Sequence, residues 1–475
     1  MKKIQYLITA VALSFLVYGC GADFENVNDD PNRISEVSPG TLLNPIIYGI
    51  ASHNATRSAS VTFNLMQVSL PFPSVSGGLH RYDVSPNIGN SSWNAYYKYL
   101  GNIREMQMAA QKYGDANYEA ISLTLNALVY ANLTDMFGPV PMTEAVRAED
   151  EILYPKYDTQ EFIYETILAD LERANEMYDS DAMIYADDIL FHNDPQKWRK
   201  FTNSLHMRLL LRISNRTEMN AFEKLKAMVE NPTKYPVFNT TAESAIVQVT
   251  GVTPNVSPWG RPQDFPLGTK MASFFMDNLN DFKDPRISII ATQAKDLNNK
   301  NIGYVGIPSA YDGPDSQFQY DASTLVQAQV INPMQLLLMT YAEVEFIKAE
   351  LAQRGYIADA KSHYEKGTKA GIEQLKAIMP ADYFTNTKVA YNGTLEQIML
   401  QKYYALYFVD YQQWFEYRRT GFPVLPTTSA MINNALMPSR FTFPTDQQLY
   451  NIDNYNQAVQ LIGKDDINTK VWWDK

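Results

Sequence analysis

The stretch that most constrains the fold runs from Thr394 to Pro423 and reads TLEQIMLQKYYALYFVDYQQWFEYRRTGFP. Thr394 and Gln397 stand at the spacing of a capping box, an N-cap hydroxyl with a glutamine three residues on. Apolar and aromatic side chains follow at Ile398, Met399, Tyr403, Leu406, Trp414 and Phe415, on both sides of a helix rather than along one stripe. A helix greasy around most of its circumference has to be buried between neighbours. Arg418 and Arg419 suit the negative end of its dipole. Gly421 and Pro423 then stop it. Just upstream, Tyr341 to Leu375 reads as a helix pair, with Ala360 and Tyr364 five and nine residues after the Gly355 turn. Those offsets match the second half of a tetratricopeptide repeat, where the small Ala lets helices approach and the Tyr fills the space beside it.

Earlier segments repeat the theme at irregular spacing. Tyr96, Leu100, Ile103 and Met106 keep helical period, and Tyr118, Ile121, Leu125, Leu128, Val129 and Leu133 form a partner helix. A second pair spans Thr159 to Tyr178 and Pro195 to Asn215, the latter opened by Asp194 as cap and Pro195 at the first helical position. Four such pairs predict a mainly α fold, a divergent solenoid of tetratricopeptide-like helix pairs. Against it stand two loop-rich regions, Leu70 to Trp93 and about 231–330, the latter with one strand expected over 245–249. The tail from Met437 reads as irregular and ends in Trp472-Trp473-Asp474.

The N-terminus has an address rather than a fold. Lys2 and Lys3 precede an apolar run from Tyr6 to Tyr18, too short at 1.5 Å per residue to span a bilayer. Its dimensions are those of a signal-peptide core. Gly19 and then Cys20, the only cysteine, resemble a bacterial lipoprotein cleavage site. The expected division is a signal peptide over 1–19, a lipidated tether over 20–40 beginning at Cys20, and a single helical domain over 41–475. The plainer alternative is a secretory peptide with an incidental thiol. The acidic cluster from Asn26 to Asn32 lacks the spacing, the Gly and the terminal Glu of a calcium loop.

Catalytic chemistry is hard to find. The five histidines are scattered without zinc spacing, and His206, inside a helix, reads as capped or solvated. There is no nucleophile elbow, phosphate loop or dinucleotide-binding glycine pattern. Asp187 and Asp188 are one acidic pair among 52 carboxylates, weak ground for a glycosidase couple. No metal or other cofactor is implied. A net charge of -12 without a basic stripe argues against nucleic acid. Aromatic rings make up 12% of residues, more than a core alone needs. Phe72, Tyr82 and Trp93 in one loop region and Trp259, Tyr311 and Phe318 in the other are candidates to converge on a ligand. Arg81, Asn87 and Asn90 would supply hydrogen bonds. Sugar rings suit such a surface, because their C–H faces pack on aromatic planes while their hydroxyls seek polar partners. The competing reading is that these rings pin long loops to the body.

Several segments resemble the SusD/RagB-like outer-membrane nutrient-binding lipoproteins of Bacteroidetes. They are the lipobox ending at Cys20, FENVNDDPNR (24–33), LTDMFGPVPMTEA (133–145), DPR (284–286), YAEVEFIKAELAQRGY (341–356), QKYYALYFVDYQQWFEYRRTGFPVL (401–425), MPSRFTFP (437–444) and VWWD (471–474). The resemblance implies a mostly helical protein, lipid-anchored at the outer membrane and exposed at the cell surface. It implies a non-enzymatic lid on a TonB-dependent transporter of the SusC type, passing on an oligosaccharide or a peptide. Two rivals are a surface glycan hydrolase and a helical-repeat adaptor for other surface proteins.

Overall fold

Five helices of this chain begin, among the described residues, where a side chain satisfies a free backbone N–H. The computed structural model describes residues 38–475 except 74, 180–182, 184, 186 and 312. Residues 39–475 form one compact unit. The expected signal peptide, Cys20 and nearly all of the tether lie outside the described residues. Helix α1 (Pro39–Arg57) packs on α2 (Asn90–Tyr113), and α2 on α3 (Ala116–Phe137). The stack continues through α4 (Gln160–Met177), α5 (Pro195–Arg212) and α6 (Ala221–Glu230). Asp115, Thr159 and Asp194 each accept a backbone N–H as N-caps of α3, α4 and α5. His206 of α5 is buried, not solvated, and burial lowers its pKa to about 4, so it is neutral. Asp188 is a loop clamp: it accepts from the backbone of Leu190, Phe191 and Asn193 and from the Trp198 indole.

The loop-rich middle contains α7 (Ser273–Phe282) and three two-stranded antiparallel ribbons. The first joins β1 (Ser69–Pro71) to β3 (Thr269–Met271). The expected strand β2 (Ala245–Val249) pairs with β6 (Met334–Met339), and β4 (Lys295–Asp296) with β5 (Tyr320–Asp321). Strand β6 is buried at nearly every position, so it carries no alternation to read.

Helices α8 (Tyr341–Gln353) and α9 (Ala360–Gln374) close a hairpin about Gly355, whose φ of 83° needs a glycine. Tyr364 is buried as expected and donates to the Val389 carbonyl at 2.6 Å. The tight approach, however, runs through Gly367, where a Cβ would stand 3.1 Å from the Phe346 ring. Ala360 is only half-buried.

The anchor stretch forms two helices rather than one, α10 (Leu395–Ala405) and α11 (Gln412–Thr420). Thr394 caps α10 by accepting from the Gln397 N–H at 3.2 Å. The Gln397 side chain turns away to Tyr364 and Lys388, so the box is not reciprocal. Phe408 (φ 66°) and Asp410 (φ 34°) break the helix. The Asp410 carboxylate accepts from the Tyr411 N–H, and its carbonyl accepts from Thr62 at 2.8 Å. In return Tyr407 stacks on Phe63, centroids 4.9 Å apart. Apolar spacing could not show this break, because the residues inside it are as buried as those of the helices.

The basic pair at the end of α11 is not exposed to water. Arg419 donates to Glu350 at 2.6 and 2.8 Å and to Glu416 at 2.7 Å, with its side chain 1% exposed. Glu416 also binds Arg212 and Lys402, each at 2.8 Å, and Arg208 pairs with Glu343 at 2.7 Å. Burial alone would raise the Glu416 carboxyl, but the charges of Arg419, Lys402 and Arg212 hold it well below the usual carboxylate range. The Arg418 guanidinium lies 4.5 Å from the Trp473 ring and 4.8 Å from Trp414. Trp473 in turn donates to Asp135 at 2.6 Å. The tail preceding it contains α12 (Thr445–Tyr450) and α13 (Ile452–Ile462) where irregular chain was expected. Only Ala458 of α13 is fully buried, which is why its packing signal is faint. Among the described residues no helix is long and apolar enough to cross a membrane.

Candidate ligand-binding surface

Two strands of three residues build the candidate surface. β1 and β3 pair in the register Leu70↔Lys270 and Pro71↔Thr269, which sets Phe72 beside Lys270. The Lys270 ammonium stands 5.8 Å from the Phe72 ring centroid and donates to Asp321 at 2.5 Å. The 305–307 segment lies against the end of β3: the Ser273 N–H bonds the Ile307 carbonyl at 2.8 Å, and the Ile307 N–H bonds Met271 at 2.9 Å. That approach requires Gly306, where a Cβ would fall 2.5 Å from the Ala272 carbonyl carbon.

On this base Phe72, Tyr311 and Phe318 meet. Phe72 is 6.4 Å from each of the other two, and Tyr311 meets Phe318 edge to face at 4.8 Å. Tyr320 continues the row 5.8 Å beyond Phe318. Leu70, Ala272 and Ile307 are buried beneath. Tyr311 is buried while Phe72, Phe318 and Tyr320 are half-buried, so the cluster presents only partial ring faces at its rim. Arg81 is a fastener: its guanidinium donates to the carbonyls of Tyr311 at 2.9 Å and Ala430 at 3.1 Å. It thereby ties the 310s loop to the 426–432 segment, where Thr428 also donates to Ala310 at 3.1 Å.

The other candidates lie elsewhere. Tyr82 is a core residue whose hydroxyl burial pushes up to about 12. Trp93 opens α2 and packs edge to face on Phe137 at 5.1 Å. Trp259 is half-buried against Phe265 (5.5 Å) and Phe408 (6.1 Å). Asn90 bonds Asn87 at 3.3 Å. Tyr82, Trp259 and Asn90 fit the packing reading, each with a protein partner, and Trp93 packs likewise while also lining a cleft beside α12. Lys270 and Asp321 were not legible as site residues, because pairing between strands so short leaves no sequence period. A separate recess of about 670 Å³ lies between α1 and α2 under the 254–258 loop. Tyr48, Tyr99 and His53 line it, and His53 is held neutral, its pKa lowered to about 4 by burial and Arg57.

Comparison with known proteins now bears on this geometry. A family model described as "Starch-binding associating with outer membrane" matches residues 31–444. A chitin-binding protein of solved structure is 24% identical, with a TM-score of 0.78, covering 92% of this chain and 100% of its own. A SusD homologue from Bacteroides fragilis is 23% identical, with a TM-score of 0.79 and coverage of 92% and 100%. A SusD-like protein from Bacteroides thetaiotaomicron is 22% identical, with a TM-score of 0.77 and coverage of 92% and 98%. These identities speak for the fold alone. No curated protein matches the chain. With the family model spanning most of its length, the chain belongs to the SusD-like family of outer-membrane-associated nutrient-binding proteins.

Proposed function

We propose that this protein is a surface lipoprotein, anchored through Cys20, that captures an oligosaccharide and delivers it to a TonB-dependent SusC-like transporter without chemical change. The observation that carries the binding step is the meeting of Phe72, Tyr311 and Phe318 beside the Lys270–Asp321 pair. Half-buried rings offer partial planes for sugar C–H faces, and the charged pair offers a donor and an acceptor for hydroxyls. The starch-binding family model and the chitin-binding structural neighbour support a glycan over a peptide.

The test is calorimetric titration of the full chain with maltoheptaose and with N-acetylchitohexaose. Binding to one of them, weakened about tenfold or more in the Phe72→Ala/Phe318→Ala variant, is expected, tenfold being about 1.4 kcal/mol. Turnover of either sugar would favour the hydrolase. Absence of binding to both, with the double variant changing stability only, would favour the adaptor.

A further inference from the structure

Away from that surface, a cleft of about 350 Å³ opens between the 147–155 loop and α12. Its walls carry two of the chain's most exposed rings, Tyr154 at 61% and Tyr450 at 72%. Its floor is Trp93 and Tyr97, centroids 5.0 Å apart, and the Tyr97 hydroxyl is fixed on the Pro141 carbonyl at 2.8 Å. The two walls come from distant parts of the chain and are fastened together. Asn451 donates to the Pro155 carbonyl and Asn454 to the Tyr154 carbonyl, each at 2.9 Å. Rings left this exposed gain nothing from the fold, yet the backbone holding them is pinned.

Two of the side chains lining the cleft, Gln447 and Arg147, keep donors to spare. Gln447 accepts from the Tyr157 hydroxyl at 3.3 Å through its oxygen, and among the described residues its amide nitrogen has no partner. Arg147 spends its Nε on Asp150 at 2.8 Å, and among the described residues its terminal nitrogens have none. A sugar ring answers this arrangement: its flat C–H faces fit between aromatic planes, and its hydroxyl oxygens accept from amide and guanidinium groups. The volume is at the small end of ligand pockets, room for one or two rings. Leu153 and Leu449 extend the exposed apolar area, as a protein interface would, but an apolar partner would leave the cleft's donors unsatisfied.

We infer that the Tyr154/Tyr450 cleft is a second carbohydrate-binding site, sharing no residue with the Phe72/Tyr311/Phe318 cluster. The inference rests on the reading of the chain as a glycan binder, and its test separates the two. The full chain is titrated with maltoheptaose and N-acetylchitohexaose in four forms: wild type, Phe72→Ala/Phe318→Ala, Tyr154→Ala/Tyr450→Ala, and all four changes combined. The expected result is residual binding when only the cluster is altered, lost by about tenfold or more in the combined variant. Both tyrosines are exposed, so the Tyr154→Ala/Tyr450→Ala protein should keep the wild-type melting temperature. Residual binding indifferent to the tyrosines, or none once the cluster is altered, overturns the second site and leaves the first standing. No binding in the wild type overturns both. Loss of a co-purifying outer-membrane protein from the tyrosine variant, with sugar binding intact, would make the cleft a protein interface instead.

Discussion

Replacing Arg419 with alanine would take a cation from two buried carboxylates, leaving Glu350 with Arg354 alone and Glu416 with Arg212 and Lys402. Both carboxylates are buried and both accept from this guanidinium. Removing one partner of a buried pair costs about 3–5 kcal/mol, far more than an exposed pair at a helix end would. Urea unfolding of Arg419→Ala should show that loss, and a change under about 1 kcal/mol would mean the charges are solvated after all. The network also sets a pH dependence. Glu350 and Glu416 are held below their ordinary values, so their contribution is present above the unfolded carboxyl pKa of about 4.3 and is lost as pH falls below it. Asp135 and Asp410 act in the opposite sense, because burial raises them and acid relieves the cost of their charge. Glu416→Gln should therefore melt lower than wild type near neutrality, with the gap closing toward acid. A constant gap would contradict that assignment. In the sequence these arginines looked like dipole partners. Position along a helix was legible, and so was Glu416 three residues before Arg419, but Glu350 sits on α8, at a distance no local spacing reveals.

At the scale of elements, the candidate surface hangs on how closely the 305–307 segment approaches β3. Gly306→Ala puts a methyl group against the Ala272 backbone, which cannot swing aside as a side chain can. The segment should move off the strand and carry Tyr311 and Phe318 with it. Sugar binding should fall more than the melting temperature does, whereas unchanged affinity would detach the aromatic cluster from the site. Helices α2 to α5 and the α8–α9 hairpin were readable from apolar period, supported by the Asp194 cap at α5 and the Gly355 turn of the hairpin. Beyond the strand over 245–249, the two loop regions announced only their aromatics. Which of those rings would meet depended on ribbons of two or three residues, too short to carry a pattern, so Phe72, Tyr311 and Phe318 come together while Tyr82 and Trp93 turn inward.

For the whole molecule, the lipoprotein reading makes a prediction independent of sugar. Cys20→Ala should leave the protein unlipidated and released from the membrane fraction, and continued lipid labelling would refute the anchor. The helical body itself departs from a plain solenoid. In a linear array each repeat leans only on its neighbours, and fragments can fold alone. Here Arg208 of α5 finds its counter-charge on α8, Arg212 is shared between Asp135 of α3 and Glu416 of α11, and Asp135 is also met by Trp473 at the far end. A nascent chain that has delivered five helices can already pair Arg212 with Asp135, but Arg208 waits for Glu343 of α8. Such a body is closed by its later helices: a fragment ending at α6 would carry Arg208 without the carboxylate that answers it in the whole protein.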